Sequence, residues 1–379
     1  MKKLISLLFV ALTVLAPLGS LAETNNDYVS LAVLSQQALS GWHETYAAHG
    51  REVIAQADIL WMPETDACPI VEIERMEMNL DEQVLEKYRG KGNTVDVSSK
   101  NHYVSIHVDS KMKNYFLKGY SGGTGGLWDE NDVLFHHGEI PDIQPEGLDC
   151  TYQQFYDFMG SRVKELTGIG LDSYWTQRLS AHDVIWKAKE RDGSRVRVAP
   201  MTRWGSWGWC GYQMFHGIPM QFSGAAGPTG YAICNYYGEN TYVIDLFPVV
   251  ETAVQHEDVP LLSFEAMKQI WEEQIEAGKL RGVDELSFCY IAFLQNDAQG
   301  ERWVLQPVWM LTGGYTEDVG KEQVMPYHDE RDTDGSLTCP EEYRPYYYNA
   351  QTGEMLQMPA EYGKPLMAYE VLTWDDVNG

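Results

Sequence analysis

Two amphipathic segments, each opened by its own capping residue and each followed by β-patterned chain, constrain this sequence more than any other feature. Thr151 precedes "YQQFYDFMGSRVKELTG", and Gln154 three residues on completes a capping box. Phe155, Met159, Val163 and Leu166 then recur at helical spacing. Ser263 precedes "FEAMKQIWEEQIEAGKL", with Phe264, Met267, Trp271 and Ile275 on one face and Leu262 and Met267 placed as a hydrophobic staple. Such stripes must be buried, and strands follow both helices. "WCGYQMF" (209–215) in the first stretch aligns with "FCYIAF" (288–293) in the second, which sets Cys210 beside Cys289. "CNYYGENTYVIDLF" (234–247) and "YYYNAQTGEMLQM" (346–358) each read as strand, tight turn, strand, with Gly238 and Gly353 at the turns. The order amounts to one repeat of about 110 residues.

Upstream, residues 27–49 carry apolar side chains at helical spacing and read as a helix ending before Gly50. "EVIAQADILWMP" and "PIVEIERMEM" read as strands, and Asn79-x-x-Glu82 is a capping-box pattern opening a short helix that stops at Gly90. Strands are expected again at "HYVSIHV" and "KNYFLKGY". The glycine-rich, acidic stretch 119–149 reads as a loop or boundary.

The succession "LLSFEAMKQIW", "VDELSFCYIAF", "WVLQPVWML" and "YYYNAQTGEML" resembles a PepSY-like domain, and in particular the tandem arrangement of YycI-type regulators and related bacterial envelope proteins. The resemblance spans roughly residues 150–360, and the second unit carries the closing motif in full as Asn349, Ala350, Thr352, Gly353 and Glu354. It implies one helix on an antiparallel sheet per unit and an extracytoplasmic binding or regulatory role, with no catalytic residues and no cofactor. YycI-type proteins are membrane-anchored, a feature this chain departs from. The expected fold is therefore α+β. Residues 1–22 form a signal peptide and 23–149 a smaller α+β domain, followed by PepSY-like units at 150–256 and 257–379, the last with a C-terminal tail.

The N-terminus carries the expectation about compartment. Lys2 and Lys3 precede the apolar run "LISLLFVALTVLAPLGSLA", and Ser20 and Ala22 put small residues where a signal peptidase cuts. A lipid anchor needs a cysteine at the cut, where Glu23 stands, and no later run reaches the roughly 18 apolar residues of a spanning helix. A secreted, extracytoplasmic protein without a membrane anchor is expected. The net charge of −27 repels phosphate backbones and anionic lipid, which disfavours nucleic acid and membrane surfaces as partners. Six cysteines without a Cys-x-x-Cys spacing permit disulfides but signal neither a redox motif nor a zinc knuckle.

Motifs that carry chemistry are sparse. "GYSGG" (119–123) matches a hydrolase elbow with Ser121 as nucleophile, but "TGGLWDEND" is a poor helix to follow it, so Ser121 is read as unreactive. "ERDTDGSLTCPE" (330–341) sets Asp332, Asp334 and Glu341 at oxygen-ligand spacing for a hard cation; Pro326, Pro340 and Pro345 deny the flanking helices, leaving an irregular metal site or a solvated acidic loop. His102 and His107 point to opposite faces of a strand, and the His136-His137 pair is read as surface. No catalytic residue is assigned.

The densest aromatic stretch is "RWGSWGWCGYQMFHGIPM" (203–220). Read as a strand, it puts Trp207, Trp209, Gln213 and Phe215 on one face and Trp204, Cys210, Tyr212 and Met214 on the other. Burial between domains is one reading. The other is an open face on which Trp204, Trp207, Trp209 and Tyr212 stack on a ligand. The expected function is a non-catalytic binding or regulatory protein acting on an extracellular or envelope protein or peptide. The alternative is a glycan-binding protein or glycoside hydrolase using the tryptophan-rich strand, which requires two carboxylates roughly 5–10 Å apart beside it.

Overall fold

Strands dominate the structure. The computed structural model describes residues 27–378 except 49, 78–79, 81, 90–92, 99–102, 109–124, 129–132, 136–144, 146–147, 149, 188, 193–194, 199–201, 222–226, 239–240, 281, 313–344 and 357–364. The first part contains β1 (Tyr28–Val29), α1 (Leu31–Ala38), β2 (Trp42–Ala48), β3 (Arg51–Trp61), β4 (Ile70–Arg75), α2 (Glu82–Glu86), β5 (Thr94–Ser98), β6 (Tyr103–Val108), β7 (Gly125–Trp128) and β8 (Val133–Phe135). The middle holds α3 (Tyr152–Thr167), β9 (Tyr174–Lys187), β10 (Lys189–Asp192), β11 (Arg195–Val198), β12 (Thr202–Phe215), β13 (Ile218–Gln221), β14 (Tyr231–Tyr236), β15 (Tyr242–Phe247) and β16 (Val249–His256). The last part is β17 (Leu261–Leu262), α4 (Phe264–Glu276), β18 (Val283–Asp297), β19 (Gly300–Thr312), β20 (Tyr346–Asn349), β21 (Met355–Leu356) and α5 (Trp374–Asn378).

Local chemistry sets both long helices. Thr151 Oγ1 accepts from the Gln154 N–H at 3.3 Å while Gln154 Oε1 accepts from the Thr151 N–H at 2.8 Å, so two orphan donors are satisfied at once. At the other end Gly168 takes φ 76° and returns its N–H to the Lys164 carbonyl. The α4 helix is capped by Ser263, whose hydroxyl accepts from the Ala266 N–H at 3.2 Å.

One sheet is antiparallel throughout and runs β5–β6–β15–β14–β12–β9, with β7 and β8 on the far edge of β9. Phe155, Met159, Val163 and Leu166 of α3 are buried on it against Ile106, Trp207, Trp209 and Ile244. The second sheet is mixed. It runs β2–β3–β18–β19, with β3 parallel to β18, and the far edge of β19 takes β20 and then β4, which β16 extends. Both α1 and α4 cover this sheet, burying Leu31, Leu34, Met267 and Trp271 on Phe288, Tyr290 and Trp309. The two faces without helices turn toward each other. Trp61 of the mixed sheet meets Trp175 of the antiparallel one with ring centroids 5.9 Å apart, and Cys289, Ile291, Val308 and Tyr347 form a third cluster on the mixed sheet's helix-free face.

This architecture corrects the expected fold class. The protein is mostly β, and the tandem helix-on-antiparallel-sheet units with a separate small α+β domain are not what it forms. The order helix, then four-stranded antiparallel meander does occur twice, as α3-β9-β12-β14-β15 and α4-β18-β19-β20-β21. Neither meander stands alone, because β2, β3 and β4 complete one sheet while β5 to β8 complete the other. The reason lies in the strands themselves. Leu286 through Phe293 of β18 are buried on both faces, and a single helix covers only one.

Two finer expectations also change. Cys210 lies in the second strand of its meander and Cys289 in the first strand of the other, so they are not equivalent. The helix expected over 27–49 stops at Ala38; Gly41 takes φ 65°, and 42–48 forms an edge strand in which inward and outward residues alternate. A Cβ at position 41 would run into the Ala57 carbonyl, which makes glycine necessary at that close approach. Among the described residues no helix is long and apolar enough to cross a membrane.

Candidate functional site

The tryptophan-rich strand belongs to the core. Trp207 is 0% exposed and Trp209 1%, both beneath α3 rather than between domains or open to ligand. Trp207 stacks with Phe155 (6.5 Å between centroids) and meets Tyr152 edge-on (5.7 Å), while its Nε1–H donates to the Cys150 carbonyl at 3.1 Å. Trp209 donates to Thr176 Oγ1 at 3.0 Å and packs edge-on against Tyr174. Tyr212, on the opposite face, is buried beside Tyr231 with centroids 4.9 Å apart. These residues are a packing device with their polar atoms satisfied, so of the two readings burial holds for Trp207, Trp209 and Tyr212, beneath a helix or against a neighbouring ring rather than between domains. For Trp204 only the backbone is described, paired with Val184. Asp332, Asp334 and Glu341, like Ser121, His102, His136 and His137, lie outside the described residues.

What β12 does beyond Tyr212 creates the site. The strand leaves the antiparallel sheet, turns at His216-Gly217, and returns as β13 to pair parallel with β18 at Met220–Tyr290. The two-residue turn has φ 51° at His216 and 80° at Gly217, the backbone required by a type I′ hairpin. Gln213 braces the departure: its amide donates to the Val249 carbonyl at 2.8 Å and accepts from the Val249 N–H at 3.2 Å, mimicking a strand neighbour. On the same side of β18, β3 pairs only as far as Trp61–Ser287. One parallel neighbour ends where the next begins. A cleft of about 460 Å³ opens at this changeover, lined by Trp61, Glu64, Thr65, Met214, His216 and Gly217.

The cleft joins apolar and charged groups. Trp61 and Met214 supply its apolar wall, and Glu64 and Thr65 come from the loop that carries the chain from β3 toward β4. His216 Nε2 lies 2.9 Å from Glu251 Oε2, on the neighbouring strand β16. A histidine at positive φ costs about 1 kcal/mol, a cost set by the two-residue hairpin. Ser287 stands in register with the cleft residue Trp61, and Gln221 with Ile291, both on the helix-free face of the mixed sheet. The Ser287 hydroxyl and the Gln221 amide nitrogen are buried without a hydrogen-bond partner among the described residues. Such groups are normally satisfied, by protein or by something bound.

Sequence reasoning passed over this site. Its residues come from two stretches about 150 positions apart, "WMPET" and "MFHGI", and neither carries a motif. The one available signal was His-Gly between two apolar runs, a hairpin turn with an ionisable side chain at its tip.

The comparisons with known proteins leave the fold and the cleft to speak for themselves. No family model matches the chain, so the PepSY-like resemblance gains no support there. No curated protein matches it either. Among solved structures, the chain is similar to the crystal structure of an uncharacterized protein from Eubacterium rectale, at 12% identity and a TM-score of 0.43, over 87% of this chain and 98% of that one. A likeness at that level carries no argument.

Proposed function

We propose that this is a secreted binding or regulatory protein that engages a segment of another extracellular or envelope protein in the cleft beside the His216-Gly217 turn. The strand changeover carries the reading. A concavity of about 460 Å³ falls within the usual range for ligand pockets, and it combines an aromatic wall with a few polar groups held by strands. The signal-peptide pattern at the N-terminus supports an extracytoplasmic setting. The glycan reading loses its motivation once Trp207 and Trp209 are beneath α3.

The test is a displayed-peptide selection run in parallel on the wild type and on Thr65→Trp, which fills the cleft from a half-buried loop position. Peptides enriched on the wild type should lose at least tenfold in affinity for the filled variant while its melting temperature stays unchanged. Equal enrichment on both proteins would refute the cleft as the binding site.

A further inference from the structure

Resting on that reading, we infer that the group received by the cleft is a basic side chain, lysine or arginine, of the bound segment. The wall comes first. Trp61 lines the cleft beside Met214, and an indole is the aromatic group that most favours a cation at its face, while the methylene stem of a lysine or arginine covers apolar surface. The charges come second. Among the described residues, those lining the cleft include Glu64 on the exposed rim and no lysine or arginine. Among the described lining residues the one imidazole, His216, has its Nε2 engaged 2.9 Å from Glu251. Arg75 stands in register with Val249, two residues from Glu251, but its guanidinium donates to the Gly227 carbonyl at 3.1 Å. The field of the whole molecule comes third: at −27 the chain draws cationic partners and repels anionic ones. Apolar wall, the Glu64 carboxylate on the rim and overall field all favour the same ligand chemistry.

The experiment titrates the full protein by calorimetry with Ac-Gly-Gly-Lys-Gly-Gly-amide, its arginine counterpart, and the two neutral analogues carrying acetyl-lysine or citrulline. Both charged peptides should bind at least tenfold more tightly than their neutral partners, and binding should weaken as salt rises from about 50 to 500 mM. Glu64→Gln, an exposed position that leaves the fold intact, should weaken the charged peptides about two- to fivefold and reduce their salt dependence. If the neutral analogues bind as well as the charged peptides and Thr65→Trp abolishes both, the cleft stands as a binding site and the basic-side-chain assignment falls. Failure of the charged peptides to bind at millimolar concentration also overturns the assignment. If they bind but Thr65→Trp makes no difference, the cleft reading falls with it.

Discussion

Replacing Trp207 by alanine tests whether the tryptophan-rich strand is core. The indole is fully buried, stacked on Phe155 and edge-on to Tyr152. Removing it leaves a cavity under α3 that costs about 3–5 kcal/mol, and the Cys150 carbonyl loses its donor, adding about 1 kcal/mol. For a chain this long, each kcal/mol moves the melting temperature by about 2 °C, so Trp207→Ala should melt roughly 8–12 °C lower. Trp207→Phe keeps an aromatic ring on Phe155 but not the N–H donor, and should fall between the two. Thermal melts followed by circular dichroism, with the wild type alongside, suffice. A drop of less than about 2 °C for Trp207→Ala would refute the burial argument, and lost ligand binding at an unchanged melt would restore the stacking platform.

Two further expectations concern single contacts. Gly353 takes φ 71° in the turn before β21, and a Cβ there would run into Ile270 of α4; Gly217 has φ 80° with only ordinary contact to Thr65 at 3.7 Å. Gly353→Ala, which must also displace the Ile270 side-chain end, should therefore cost about 1–3 kcal/mol in urea unfolding and more than Gly217→Ala at about 1 kcal/mol, and equal costs would show that backbone conformation alone matters at both turns. The hydrogen bond from Lys87, helped by Tyr88, holds the Glu165 carboxyl below its ordinary pKa and ties α3 to the α2 segment. A lowered folded-state value gives stability that is present above the unfolded pKa and lost as pH falls through the folded one. The stability difference between wild type and Glu165→Gln should then be largest near neutral pH and shrink progressively as pH falls below the ordinary carboxylate range. A difference that stays constant from pH 7 to 3 contradicts the assignment.

Local features were legible where the cause is local. The capping residues Thr151 and Ser263, the buried stripes on α3 and α4, and the glycines of the hairpins at 238 and 353 all follow from spacing and backbone preference, and the structure has them at those residues. The fold class was not legible. Nothing in "REVIAQADILW" announces that its partner is Val283–Ser287, more than two hundred residues on, because strand pairing is decided by complementary faces rather than by either strand's own pattern. The same holds for the tryptophans. Alternation placed Trp207 and Trp209 on one face, but which face meets α3 depends on a helix about 50 residues earlier. The cleft was the least legible element, since it exists only where β3 ends and β13 begins along a third strand.

That mixed sheet also dictates when the protein can fold. Ala55 pairs with Val283, Ile70 with His256 and Ile73 with Trp303, so strands made early have their neighbours among those made late. Contacts this distant in sequence must close long loops before they return any stability, which places the chain among slow folders. Until β16, β18 and β19 emerge, the apolar faces of β3 and β4 lack the strands that flank them in the finished sheet, and unpaired edges of that kind are what chaperones hold. A chain built this way stays open until most of its length has been made, a state in which threading through a narrow pore is still possible. Its early strands wait for its late ones.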